Sequence, residues 1–401
     1  MSASSRTLRE EVERLDREDP LAPFRERFLL PEGIVYLDGN SLGALPREAA
    51  ARVERAVREE WGKGLIRSWR DAGWIDLPLR IGEKIGRLVG AEPGSVVVAD
   101  STSVNLFKVL AAALSHRPER KTILTERGNF PTDLYIAEGL ASFVGKGHSV
   151  RTEPAEKIVP SIGRDTAVVL LTQVDYRTGA RHDLARVTGE AHERGALVVW
   201  DLAHSAGAFP VDLAGAGADF AVGCGYKYLC GGPGAPAFVY VAPRHQRNVQ
   251  PLSGWFGHAA PFAFEAGYRP APGVGRYVCG TSPILSLTAL EAGVDLFLEA
   301  GMDRVREKSV RLADLFVELV EERCGGRGLA LLTPREPARR GSQVSFAHPS
   351  AEGVMKALAA RGVIGDFRPP DILRFGFAPL YGRFVDAWDA AEALGAVLAA
   401  P

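Results

Sequence analysis

A carboxylate, an imidazole and an amine stand at the ends of two consecutive apolar runs. "VVWDLAHSAG" carries Asp201 as the last residue of one run and His204 three residues on. "DFAVGCGYKYLCGGPG" carries Lys227 just past the next run, between Tyr226 and Tyr228. Lysine ordinarily keeps its ammonium in water, so an amine crowded by tyrosines and glycines asks for a chemical reason. In open α/β sheets, ligands gather at the carboxyl ends of strands. These three groups on adjacent strand ends suit pyridoxal 5'-phosphate. Lysine forms a Schiff base with the aldehyde, and the acid keeps the pyridine nitrogen protonated so that the ring can accept electrons. Glycines after Lys227 let the backbone approach a flat cofactor. In "DSTSVN", Ser101, Thr102 and Ser103 offer hydroxyls and backbone N–H groups at a helix start, a cradle for phosphate. Phe130 in "NFPTD" offers a flat apolar face for a ring.

Each feature has a plainer alternative. An aspartate at a strand end often only caps a helix, and Ser-Thr-Ser before a helix does the same. A single phenylalanine can be core, and a lysine can snorkel to the surface between tyrosines. Their occurrence together, in this order, favours the cofactor.

The elements that must position these residues alternate. "SVVVA", "TILTE", "AVVLLTQV", "ALVVWD", "DFAVGC" and "AFVYVA" are short apolar runs that suit strands buried on both faces. Helical patterns such as "TSVNLFKVLAAALS" and "DLARVTGEAHERG" lie between several of them. The alternation predicts an α/β fold, a mostly parallel sheet flanked by helices. Past about residue 290 come two long amphipathic helices, the strands "SQVSFAH" and "ILRFGF", and an Ala-rich helix. We expect a segment 1–40 packed on a small α+β C-terminal domain 291–401, with the large cofactor-binding domain over 41–290. The 401 residues suit such a two-domain enzyme. A net charge of −1 gives no bulk pull toward nucleic acid or an anionic membrane. The N-terminal stretch lacks the apolar core of a signal peptide, and no apolar run reaches membrane-spanning length. Cys224, Cys230, Cys279 and Cys324 show no metal-binding spacing and read as reduced thiols of a cytoplasmic protein.

"DLAHSAG" followed by "GYKYLCGGPG" resembles the class V aminotransferase group of fold-type I pyridoxal-phosphate enzymes. "YLDGNSLGALP", "NFPTDLY", "YKYLCGGPG", "GWFGH" and "RFGFAPLY", spread over nearly the whole chain, narrow the resemblance to the kynureninase family. It implies hydrolytic cleavage of L-kynurenine to anthranilate and L-alanine, in a homodimer with shared active sites. By motif, Lys227 is the Schiff-base lysine, Asp201 the pyridinium partner, Phe130 the stacking ring and Asp133 a second acid near the cofactor. Thr102, Ser103, Tyr226, Trp255 and Thr281 match positions at or around the phosphate, with Trp255 and Thr281 supplied by the neighbouring subunit. Thr172 and His204 match further cofactor-facing positions. Arg374 in "ILRFGF" matches the arginine that holds the substrate carboxylate; an exposed strand arginine is the plainer alternative. Tyr226 is the acid/base expected at hydrate collapse and at Cβ, and holding phosphate alone is its other role.

The animal-type enzyme looks to have Asn and Ser where this chain has Thr281 and Thr172. With Thr281 there, and with Trp69 and Trp74 in "LIRSWRDAGW", we expect L-kynurenine to be preferred over 3-hydroxykynurenine, Trp69 stacking on the substrate ring. Both tryptophans can equally anchor a helix. The rival readings are a cysteine desulfurase-like lyase, which needs a nucleophilic cysteine on a mobile loop, and a non-catalytic protein of the same fold.

Overall fold

The computed structural model describes residues 3–248 and 250–399. Its central layer is a sheet of seven strands: β1 (Val96–Val98), β2 (Thr122–Glu126), β3 (Ser149–Glu153), β4 (Thr166–Thr172), β5 (Leu197–Asp201), β6 (Phe220–Gly223) and β7 (Phe238–Val241). Their spatial order is β1-β7-β6-β5-β4-β2-β3. All pairings are parallel except those of β7, which runs antiparallel to β1 and to β6. Strands β4 to β7 are buried along their length, as unbroken Val, Ala and Leu runs require. The edge strand β3, Ser-Val-Arg-Thr-Glu, is only partly buried. Its polar alternation hides it from a search for apolar runs.

Helices cover both faces, and the period of two along each strand divides its residues between them. Val168 and Leu170 of β4 join one core with Leu106, Val109 and Ala113 of helix α3 (Thr102–His116) and Leu140 of α4 (Pro131–Val144). Val169 and Leu171 face the other way. There they meet Ile81 and Ile85 of α2 (Leu77–Leu88), Val187 of α5 (Leu184–Glu193) and Leu290 of α6 (Ile284–Ala300). Each fully buried Val, Leu or Ile side chain among these stabilises the fold by about 1.5–3 kcal/mol.

A second, antiparallel sheet has the order β8 (Ala330–Leu331), β9 (Gln343–Ala347), β11 (Ile372–Gly376), β10 (Asp366–Arg368). Its core takes side chains from α7 (Met302–Cys324), α8 (Ala351–Ala359) and α9 (Phe384–Ala399), and also Val12 from α1 (Ala3–Arg17). The N-terminal helix is fixed there by Asp16, which accepts from the backbone N–H of Phe384 at 2.6 Å and of Val385 at 3.0 Å. The expected boundary at residue 290 falls inside α6. That helix cannot be divided, because Leu287, Leu290, Leu296 and Phe297 all join the large core; the chain turns away only at Gly301, with φ 81°. Residues 1, 2, 249, 400 and 401 of the expected segments lie outside the described residues. Among the described residues, no helix is long and apolar enough to cross a membrane, and no cluster of His, Cys, Asp and Glu could hold a metal ion.

Candidate active site

The register of the central sheet brings the chemistry together. Thr172 of β4 pairs with Asp201 of β5, so two polar side chains end adjacent strands side by side. β6 ends next to them at Gly223, and the chain delivers Tyr226 and Lys227 over the same edge. A cavity of about 120 Å³ there is lined by Asp201, Ala203, His204, Tyr226, Lys227, Thr172 and Tyr176. Thr102 and Ser103 from the start of α3 complete it, with Phe130, Thr132 and Asp133 from the start of α4. A neighbouring cavity of about 440 Å³ shares Thr102 and Tyr226 and continues past Ser101 to Cys279, Gly280 and Thr281.

Two helix starts aim at this space. Ser101 caps α3, its side chain accepting from Val104 N. Pro131, with its φ preset for a first turn, opens α4 and leaves Phe130 just outside it. Asp133 lies in that first turn, where a negative charge meets the positive end of the helix. Asp133 is nevertheless buried, and burial, followed by the charge of Asp201, pushes its carboxyl well above the usual range. Thr172 Oγ1 donates to Asn129 Oδ1 and, at 3.3 Å, to Asp133 Oδ2. Burial also raises Asp201, but the charge of Lys227 and the Ala203 N–H, which donates to Oδ1 at 2.6 Å, oppose it. Asp201 is thus the acid of the pair that ionises first. A ring N–H⁺ beside it would fix that charge.

Lys227 Nζ lies 5.8 Å from the ring centroids of both Phe130 and Tyr226. Its backbone is held by "YLDGNSLGALP": Gly43 N donates to Tyr226 O at 2.9 Å. A Cβ at Gly43 would run into the Lys227 carbonyl and, at 2.6 Å, Cys230 Sγ. This close approach is the reason for glycine at that position. His204 is buried, and burial, then the charges of Lys227, Arg374 and Arg368, hold its imidazole neutral well below the usual range. Its Nδ1 lies 3.0 Å from Gln343 Oε1, so that nitrogen carries the proton and donates. Burial raises the Tyr226 phenol, with Cys224 and Asp201 adding to the shift. The side chain therefore stays protonated and acts as a donor, where an ionised base was one of the expected forms.

Arg374 is 1% exposed, which removes the solvent-facing alternative. Its Nη1 donates to Tyr176 O at 2.9 Å and its Nη2 to Ser41 Oγ at 2.8 Å. Asp366 Oδ2, directly across the strand pair, lies 2.6 Å from Nη2 and 2.6 Å from Arg368 Nε. The Asn40 amide oxygen faces Arg374 Nε at 3.1 Å and its nitrogen faces Asp38 Oδ1 at 3.2 Å, the orientation that pairs donors with acceptors. Burial lifts the neighbouring Asp38 carboxyl to about 6. The guanidinium stands behind Tyr176 rather than in the inner cavity wall.

Nine of the residues singled out in the sequence thus line one cavity, and Thr281 lines the next. Trp255 and Trp69 do not. Trp255 is 44% exposed, in a cluster with Phe256 at 4.7 Å and Phe264 at 6.2 Å between ring centroids. Trp69 packs on the same Phe256 at 5.4 Å and edge-on to Trp74 at 5.8 Å. Trp69 thus lies outside both cavities of its own chain, within this aromatic cluster. Tyr176, Thr132, Asn129 and Gln343 escaped the sequence reading. Tyr176 sits edge-on to Phe130 at 5.2 Å and could have been found from its place just past the end of β4. Gln343 comes from the second sheet, and no local pattern announces it.

The donor set fits pyridoxal 5'-phosphate. It offers a carboxylate for a ring N–H⁺, an amine for the aldehyde, a flat side chain, and hydroxyls with free N–H groups at a helix start for the phosphate.

Comparison with known proteins gives a consistent result. Residues 305–394 match the family model described as the kynureninase C-terminal domain. Proteins named kynureninase from Burkholderia pseudomallei (strain 1106a) and Pseudomonas fluorescens are each 56% identical. The first covers 97% of this chain and 95% of its own length, the second 98% and 96%. Among solved structures, the apo cysteine desulfurase of Thermococcus onnurineus NA1 has a TM-score of 0.78 at 19% identity, over 94% of this chain and 97% of that one. A C-DES variant with glycine covalently linked to its PLP cofactor has a TM-score of 0.80 at 17% identity, over 92% and 98%. At those identities the likeness speaks for the fold alone, the fold-type I architecture.

Proposed function

The chain belongs to the kynureninase family, and on that premise we propose that it hydrolyses L-kynurenine to anthranilate and L-alanine with pyridoxal 5'-phosphate as cofactor. In reaction class it is a hydrolase of carbon–carbon bonds in ketonic substances. One arrangement carries the reading: the Lys227 amine and the Asp201 carboxylate share a buried cavity with Phe130 and the start of α3.

When bound, the cofactor supplies an electron sink for negative charge developing at the substrate's Cα and Cβ. Asp201 would hold the ring nitrogen protonated, Thr102 and Ser103 would hold the phosphate, and Phe130 would offer its face to the ring. Thr172 and Asp133 brace the Asp201 side, and neutral His204 fills the floor without adding a competing cation. Lys227 Nζ would be the point of cofactor attachment, and as a free amine it would be the base for the substrate's Cα proton. Water would add to the γ-carbonyl; as the Cβ–Cγ bond breaks, its electron pair goes to Cβ, Cγ keeps the water oxygen as the carboxyl of anthranilate, and Tyr226 Oη gives its proton to Cβ and regains one from the hydrate hydroxyl. Arg374 takes the substrate carboxylate, with Asp366 giving up one side of the guanidinium and remaining on Arg368.

A cysteine desulfurase-like reading needs an accessible nucleophilic thiol. Cys324 is buried at the end of α7, and burial raises the thiols of both Cys324 and Cys279, which leaves each mainly as thiol at neutral pH. We further propose a cytoplasmic homodimer. In it the cluster of Trp69, Trp255, Phe256 and Phe264 serves the partner's site, together with Thr281. L-kynurenine is preferred over 3-hydroxykynurenine because that aromatic wall offers no partner for the added hydroxyl. The test is incubation with L-kynurenine: equimolar anthranilate and alanine support the reading, and turnover of sulfur amino acids without anthranilate overturns it.

A further inference from the structure

We propose that Lys108 is a positioning residue that fixes the phosphate cradle at the start of α3 and ties it to the segment running from Tyr277 to Thr281. Lys108 is fully buried in the middle of α3. Side chains on a helix lean toward its N-terminus, and this long one reaches back to the start of its own helix. Its Nζ donates to Asp100 Oδ2, to Asn105 Oδ1 at 3.1 Å and to Tyr277 O at 2.5 Å. All three ammonium hydrogens are thus matched by acceptors from two separate segments.

The first segment is the turn into α3. Asp100 has φ 48°, a backbone state that a residue with a side chain adopts only when held. It immediately precedes Ser101, Thr102 and Ser103. Asn105 Nδ2 donates to Ala99 O at 2.7 Å and pins the other end of the turn. The second segment runs from Tyr277 to Cys279, Gly280 and Thr281, the far wall of the outer cavity. One ammonium therefore sets the gap between the two walls. Burying an ammonium costs several kcal/mol even when it is paired, and an apolar side chain could fill the same space. The ion pair with Asp100 has a use where it locks the left-handed turn that sets the N–H groups of Ser101, Thr102 and Ser103. The proposal rests on the reading that Thr102 and Ser103 hold the cofactor's phosphate.

The test compares pyridoxal 5'-phosphate with pyridoxal, which lacks the phosphate, by titration into the full-length chain freed of cofactor. Wild-type protein should strongly favour the phosphorylated form; no preference would overturn the cradle reading and this proposal together. Lys108→Met should weaken pyridoxal 5'-phosphate by roughly 10- to 100-fold, the range seen when outer-shell partners of a bound ion are removed, and leave pyridoxal binding nearly unchanged. The double variant Asp100→Asn, Lys108→Met strands no charge and should show the same selective loss. Equal loss for both ligands, no loss for either, or failure of both variants to fold would overturn the proposal, since Lys108 would then serve the fold and not the cradle.

Discussion

At the scale of single residues, charge state is set by neighbours more than by residue type. Asp133 and Asp201 are both buried, yet only Asp201 has Lys227 and a backbone N–H to favour its anion, while Asp133 faces the charge of Asp201. Arg374 shows the same dependence. Its solvent-facing alternative is excluded by 1% exposure, and its contacts with Tyr176, Ser41 and Asp366 fix the plane of its guanidinium. Arg374→Ala should raise KM far more than it lowers kcat, at a cost on the order of 2–4 kcal/mol in binding. Steady-state kinetics decide it, and an unchanged KM would remove Arg374 from the substrate site. The residue types of this site were legible in the sequence because Asp201, His204 and Lys227 lie next to strand ends. Tyr176 and Gln343 were not, since their role comes from contacts across the fold: Gln343 Nε2 donates to Tyr176 O at 3.1 Å while its Oε1 meets His204.

At the scale of elements, the carboxyl edge of the sheet holds the chemistry and the amino edge holds the strands in place. Asp219, just before β6, is buried and accepts from Val198 N of β5 at 2.9 Å and His192 of α5 at 2.7 Å. It also accepts from Arg244 at 2.7 Å and His245 at 2.8 Å, both just past β7. Burial alone would raise this carboxyl, but the hydrogen bonds from His192 and His245 override it and hold the group well below the usual range. A carboxylate depressed in the folded state contributes stability above its unfolded value of about 3.9, and that contribution is lost as pH falls toward the folded value. Asp219→Asn should cost on the order of 3 kcal/mol at pH 7 and should flatten the fall of stability between about pH 5 and 2. Urea unfolding over that range is the measurement, and an unchanged pH slope would contradict it. Strand positions were readable from apolar runs, but direction was not. Nothing in "AFVYVA" distinguishes the antiparallel β7 from its parallel neighbours. The edge strand β3 alternates polar residues, and the boundary near 290 was masked by a helix whose apolar face belongs to the large core.

At the scale of the whole molecule, "YLDGNSLGALP" joins the two sheets to the site. Leu37 N donates to Ile364 O at 2.7 Å and Gly376 N to Leu37 O at 2.7 Å, while six residues on Gly43 supports Tyr226. The segment thus bonds to the strand that carries Arg374 and to the residue before Lys227. The surface carries Trp61, Leu65, Ile66 and Phe264 at 57%, 60%, 77% and 76% exposure, large apolar side chains that the proposed dimer would cover. Light scattering should give twice the 43.1 kDa chain mass, and Ile66→Asp with Phe264→Asp should shift the protein toward monomer with loss of activity; a fully active monomer would contradict shared sites. The central claim is that Lys227 is the amine that carries the cofactor. Borohydride reduction of the holoenzyme, followed by peptide mapping, tests it most directly. A single pyridoxyl adduct on Lys227, absent from a folded and inactive Lys227→Ala variant, is the expected result; an adduct on another lysine, with turnover retained in that variant, would contradict it.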